Sequence, residues 1–305
     1  MKLKNLPLRL VKGGPEQQAI EAGEIDAIID HASSNVILLP AARRALQEAA
    51  HEASKANSLL AALPHAEHQR LLAGLEPVTL KFGEVLQEPG SPVRHVYFPV
   101  DCVICLVTTP EGPEVGLVGY EGMVGISLAL GVNVSSVRAL VQASGTAMRM
   151  KAAHFIKALS QCPALQRELY RHADAKLALA RQTVTCNCFH AVEARLARWL
   201  LMTSDRVRSE EFFLTQAFLA EMLGVRRATV NEAVGPLQRR KLIANTRGKI
   251  MILDRKCLEA AACRCYTRIA VSAPSRRSSS ASRGLASSPR STCSIPMLMR
   301  DSLTV

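Results

Sequence analysis

The stretch FLTQAFLAEMLGVRRATVNEAVGPLQRRKLI, residues 213–243, decides the fold of the C-terminal part of the chain. Thr215 carries the side-chain oxygen an N-cap needs, so a short helix is expected from Gln216 to Leu223. Gly224 ends that helix and supplies a tight turn, because glycine enters the left-handed region without steric cost. A second helix then runs from about residue 226 to about residue 239. Two helices that cross closely need a small residue at the crossing, and Ala220 stands four residues before the turn glycine. Leu219, Leu223, Val225 and Val230 provide the apolar flanks of that crossing. Each requirement has a packing reason, and together they specify a helix-turn-helix.

The second helix opens with Arg226, Arg227, Thr229 and Asn231. In a helix-turn-helix the first residues of the second helix face base edges in the major groove. Arginine pairs bidentately with guanine O6 and N7, and asparagine does the same for adenine. Thr215 and Gln216 are placed for backbone phosphate, and the helix N-terminus itself accepts a phosphate oxygen. Glu232 is acidic on the same helix; it either accepts from cytosine N4 or orients an arginine, and the second role is favoured. Downstream, KLIANTRGKIMIL holds two apolar runs around Arg247-Gly248, the pattern of a β-hairpin or wing. Arg247 and Lys249 at its tip are expected on phosphate.

Charge agrees with this placement. The chain of 305 residues carries a net charge of +12. Residues 1–194 are balanced at 18 basic and 18 acidic side chains, whereas residues 195–268 hold 15 basic and 7 acidic. A basic block on an otherwise neutral chain suits a polyanion, with duplex DNA first.

Upstream, the texture is different. NSLLAALPHAEHQRLLAGLEPV reads as a short helix broken at Pro64 and a second one with Leu71, Leu72 and Leu75 on one face. Seven short β-like runs follow over about residues 76–150: VTLKF, EVLQE, HVYFPV, CVICLVTT, EVGLVG, VRALVQA and GTAMRM. Gly and Pro punctuate them, which suggests a β-sandwich or jelly roll. From Lys151 the period becomes helical. Pro163 is suited to the first turn of a long helix, in which Leu169, Ala173, Leu177, Ala180 and Val184 recur at steps of three and four. That stripe is read as a subunit interface, against the plainer reading of core packing. HAVEARLARWLLMTSD forms the next helix, presenting Val192, Leu196, Trp199 and Leu200.

The order of parts, a β-roll, a long helix and a C-terminal winged helix-turn-helix, resembles the Crp/Fnr family of bacterial regulators over about residues 57–268. LKFGEVLQEPGSPVRHVYFPV, VGYEGMVGISLALG, CNCFHAVEARLARWLLMTSDRV and LAEMLGVRRATVNEAV are the phrases that carry the resemblance. It implies an α+β protein: a cyclic-nucleotide-binding-like jelly roll, a long dimerisation helix and a winged helix-turn-helix. It implies a homodimer on a two-fold symmetric DNA site. The expected boundaries are an extension at 1–52, a β-roll at 53–160, the dimerisation helix at 161–187, the DNA-binding domain at 188–268 and a Ser/Arg-rich disordered tail at 269–305.

Departures from the family pattern narrow the ligand. Cyclic-nucleotide binders follow the cassette glycine with a glutamate for the ribose and place an Arg-Ser pair downstream. Here Gly125 is followed by Ile126 and Ser127, and the downstream pair is Ser135-Ser136, with Arg138 expected to face elsewhere. The chain therefore resembles a branch that does not bind cyclic nucleotides. The oxygen-sensing branch holds iron–sulfur on N-terminal cysteines, but no cysteine precedes Cys102. His95, His154 and His172 leave haem ligation open.

The nine cysteines include Cys102 and Cys105 spaced CxxC, and CxC pairs at Cys186/Cys188 and Cys263/Cys265. No paired CxxC of zinc spacing exists, so reduced, incidental thiols are expected, with redox or metal sensing as the alternative. No cofactor and no metal are expected. A cupin-type enzyme would need clustered histidines in the β region, but His65 and His68 precede it, and His95 and His154 stand apart. No HExxH helix, phosphate loop or Ser/His/Asp set appears, so no enzymatic activity is expected. A sensor module that no longer binds DNA is the other rival. Expected partners are double-stranded DNA, a second copy of the chain, RNA polymerase and a small-molecule effector of unstated identity. With no apolar run long enough to span a bilayer and no signal-peptide pattern, a cytoplasmic location is expected.

Overall fold

The computed structural model describes residues 27–30, 35–38, 51–108, 112, 114–246 and 248–267. These fall into two compact units divided between Asp174 and Ala175, with the short stretch ending at Val115 grouped with the second. The Ala-rich segment around residues 41–50 and the Ser/Arg-rich tail lie outside the described residues. Strands β1 (Ala27–Asp30) and β2 (Asn35–Leu38), which the sequence pattern did not suggest, form a separate antiparallel pair.

In the first unit, α1 (Ser58–Ala61) and α2 (His65–Leu72) are separated at Pro64, which serves as the N-cap residue of α2. Seven strands follow: β3 (Leu75–Leu80), β4 (Val85–Gln87), β5 (His95–Pro99), β6 (Val103–Val107), β7 (Glu114–Val118), β8 (Arg138–Ala143) and β9 (Gly145–Lys151). They make a three-stranded sheet, β3-β9-β5, and a four-stranded sheet, β4-β8-β6-β7. The two-residue period of a strand explains how the sheets pack. Tyr97 and Ala147 point into one buried cluster with Ile104, Val118, Ala139 and Val141 of the other sheet. Their neighbours Val96, Phe98, Met148 and Met150 point the other way, onto helices carrying Leu60, Leu71, Phe155 and Leu165. Strand β5 is therefore covered on both faces, which is why HVYFP reads as a nearly continuous apolar run, whereas β3 keeps Glu76 and Pro77 exposed.

Asn57 joins helix to sheet. Its Oδ1 accepts from the amides of Leu59 and Leu60, while its Nδ2 donates to the carbonyls of Pro99 and Gly122, each at 2.9 Å. A buried amide with every donor and acceptor satisfied stabilises and also fixes direction. Gly122 lies under His172: a Cβ there would meet the imidazole Cε1 at 2.1 Å. The His172 Nε2 faces the Met123 amide at 3.4 Å.

The chain continues through α3 (Ala152–Gln161) and the 27-residue α4 (Pro163–Phe189). Glu67 accepts from the amides of Ala164 and Leu165, satisfying orphan donors at the start of α4. In the second unit come α5 (Val192–Val207), β10 (Glu211–Phe213), α6 (Gln216–Leu223), α7 (Arg227–Arg239), β11 (Ile243–Thr246), β12 (Lys249–Ile252) and α8 (Arg255–Ala261). β10, β12 and β11 form one antiparallel sheet in that order.

Leu169 corrects one expectation. It is fully buried in the apolar cluster of the first unit, so it is a core residue and not part of an interface stripe. On α4 the large exposed apolar side chains are Tyr170 at 49%, Leu177 at 49%, Val184 at 63% and Phe189 at 79%. The first three are spaced by seven residues, the period of a coiled-coil seam. Ala173 and Ala180 are half-buried.

Candidate nucleic-acid interface

Helix α6 starts where its cap demands: the Thr215 Oγ1 accepts from the Phe218 amide at 3.1 Å. It ends at Gly224, which adopts a left-handed conformation at φ 63°, and the Val225 amide returns to the Ala220 carbonyl at 3.0 Å. Arg195 on α5 is buried and donates to the Leu223 carbonyl, placing a positive charge at the C-terminal end of α6. The Trp199 indole stands edge-on to Phe218 with ring centroids 6.4 Å apart, holding α5 against α6.

Helix α7 divides cleanly into two faces. Val230, Ala233, Val234 and Leu237 are buried at the three- and four-residue steps of a helix. Arg226, Arg227, Asn231 and Glu232 are exposed, and Thr229 is half-buried. Arg227 and Asn231, four residues apart, share one face. Arg226 occupies the N-cap position, and no side chain there bonds the first amides. The α7 N-terminus thus keeps donors and a positive dipole end facing outward beside two arginines. Thr215 is exposed and Gln216 half-buried at the start of α6. In the wing, Lys249 is exposed but paired with Glu211 on β10, so a phosphate must compete with that carboxylate. Arg247 lies outside the described residues, while Gly248 holds a left-handed turn at φ 80°. The wing hairpin pairs Ile243–Thr246 with Lys249–Ile252, the two apolar runs read from the sequence.

The structure also assembles groups that sequence spacing did not connect. Cys186, His190, Cys263 and Cys265 place their ligand atoms within 4.8 Å of one another. The CxC spacing alone concealed this, because the partners lie 77 residues apart. Glu114 is buried and accepts from the Trp199 indole at 2.6 Å. Burial pushes its carboxyl up to about 7, against the lowering influence of that bond and of Arg198, Arg206 and Lys176. In the β-roll, Ser135 is buried and donates to the Val137 carbonyl, and Arg138 is engaged by Glu88 at 2.9 Å. The arginine nearest the altered cassette therefore has a carboxylate partner already.

Residues 194–261 match the Crp-like helix-turn-helix domain. Solved structures extend the likeness in fold to about three fifths of the chain. A Crp/Fnr-family transcriptional regulator from Thermus thermophilus is 25% identical, with a TM-score of 0.51, over 61% of this chain and 98% of that one. FixK2 from Bradyrhizobium japonicum is 15% identical, with a TM-score of 0.52, over 62% and 98% of the two chains. The c-di-GMP-responsive global regulator CLP of Xanthomonas campestris is 15% identical, with a TM-score of 0.52, over 62% and 99%. No curated protein shows significant similarity to the chain. Among the described residues, no helix is long and apolar enough to cross a membrane. Residues 194–261 therefore form a Crp-like helix-turn-helix domain, and the β-roll, long helix and helix-turn-helix follow one another in the order of the Crp/Fnr-type fold.

Proposed function

We propose that the protein is a sequence-specific regulator that binds a two-fold symmetric DNA site as a homodimer. One observation carries this reading: the exposed, uncapped first turn of α7, where Arg226, Arg227 and Asn231 project from a helix whose opposite face is buried. Arg227 and Asn231 are assigned to base edges, with Thr229 beside them. Arg226, Thr215 and Gln216 are assigned to phosphate, together with Arg247 and Lys249 of the wing. Phosphate contacts set affinity and its salt dependence, whereas base contacts set sequence preference.

Dimerisation is assigned to the exposed face of α4, through Tyr170, Leu177 and Val184 with Ala173 and Ala180 between them. Two recognition helices related by such a seam enter successive major grooves about 34 Å apart. The β-roll is assigned an effector other than a cyclic nucleotide, because Ile126 offers no bond to a ribose hydroxyl and Arg138 is held by Glu88. Its fold contributes no catalytic constellation to the reading, and regulation of transcription implies RNA polymerase as a further partner.

The test is binding of the purified protein to selected genomic fragments, read by footprinting, together with its mass in solution. A protected palindrome and a dimeric mass support the proposal. A monomer that binds all duplexes equally refutes it.

A further inference from the structure

We infer that Cys186, His190, Cys263 and Cys265 form a Cys3His site for a thiophilic divalent cation, Zn2+ foremost, that ties the end of α4 to the segment following α8.

The geometry is that of a tetrahedral site. Zinc takes four ligands with Zn–S near 2.3 Å, so adjacent ligand atoms at a tetrahedral centre are about 3.8 Å apart. The Cys186 and Cys263 sulfurs are 3.8 Å apart, and the Cys265 sulfur lies 3.7 Å from the His190 Nδ1. Two independent pieces of backbone arrange this. Cys186, in the last turn of α4, and His190, the residue after its end, are four residues apart, and the His190 amide donates to the Cys186 carbonyl. Cys263 and Cys265 follow α8, and the Cys263 amide donates to the Ala194 carbonyl at the start of α5. Tyr266 secures the same segment, donating from its hydroxyl to Asp205 at 2.9 Å.

The surroundings suit a metal thiolate centre and not a packing cluster of neutral thiols. All three sulfurs are buried, and the Gln182 Nε2 donates to the Cys265 sulfur at 2.8 Å. A donor aimed at a ligand sulfur is the supporting interaction that such centres use. Arg195 and Arg198 are buried nearby, and the Nε of each has no hydrogen-bond partner among the described residues. Buried cations need a compensating negative charge. Three thiolates around one Zn2+ carry a net charge of −1, which supplies it. Four protein ligands leave no open position, which marks the site as structural and not catalytic.

Binding releases protons from the three thiols as Zn2+–S bonds form, with no change in oxidation state. The experiment uses the full chain, reduced and stripped of metal, and titrates it with Co2+. The expected result is a thiolate-to-cobalt charge-transfer band with intense tetrahedral d–d bands, saturating at about one Co2+ per chain and displaced by Zn2+. Cys263→Ser and Cys265→Ser should weaken Zn2+ binding by at least about a hundredfold, beyond what loss of a supporting partner costs. Cys188→Ser, at an exposed neighbour, should leave it unchanged. If the ligand variants fail to fold, the cobalt spectrum of the unmodified chain decides alone. No Co2+ uptake by the reduced protein, weak octahedral bands, or an unchanged spectrum in a folded Cys263→Ser/Cys265→Ser variant would each overturn the inference.

Discussion

The Trp199 indole donates its Nε1–H to the Glu114 carboxylate at 2.6 Å, and both side chains are buried. A hydrogen bond to the charged form favours ionisation, yet burial outweighs it and lifts the carboxyl to about 7. The folded pKa is thus raised above the ordinary carboxylate value of 4.5. Stability from this group is fully present below the unfolded value and is lost as pH rises through about 7. Denaturant midpoints should fall between about pH 5 and about pH 8. Glu114→Gln retains an acceptor for the indole and should flatten that part of the profile. A variant whose midpoint still falls as steeply would locate the titration elsewhere.

Gly122 and His172 make a second pair that constrains sequence. Gly122→Ala brings a Cβ to 2.1 Å from the imidazole, so the ring must move and disturb its approach to the Met123 amide. The expected loss is about 1–3 kcal/mol, the usual cost of overpacking a filled interior. In a double-mutant cycle, Gly122→Ala should cost much less in a His172→Ala background. Full additivity in urea melts would show that the two residues do not oppose each other.

The helical face bearing Tyr170, Leu177 and Val184 predicts the dimer seam. Leu177→Glu places like charges opposite one another across a two-fold axis and should give a monomer by sedimentation, with helix content retained. A dimer of unchanged affinity would remove this face from the interface.

Much of this was legible in the sequence, and the misses share a cause. The start of α6 at Gln216, its stop at Gly224, the break at Pro64 and the hairpin after Leu242 are local devices: a cap, a left-handed glycine, a fixed proline φ, a turn. Such signals act within a few residues. Leu169 was misassigned because periodicity gives a stripe but not the identity of what covers it. A rotation of about 100° separates the buried Leu169 from the exposed Tyr170, and only tertiary packing chooses between them. The four-ligand cluster and the Trp199–Glu114 bond join residues 77 and 85 positions apart, beyond any spacing rule.

The roles proposed for the arginines at the start of α7 differ by position. Arg227→Ala should relax preference at one base pair of each half-site, at about 1–3 kcal/mol. Arg226→Ala should weaken binding to all sequences alike and make affinity less dependent on salt, by about one unit of slope. Competition binding against single-base operator variants separates the two outcomes. An equal loss on every sequence for Arg227→Ala would reassign it to phosphate.

The most direct measurement is selection of genomic fragments with the purified protein, followed by footprinting at two salt concentrations. The account predicts a palindrome whose half-sites are centred about one helical turn apart, with protection that weakens as salt rises. Salt-sensitive binding with no preferred sequence would contradict it, because the exposed face of α7 would then be holding phosphates and reading no bases.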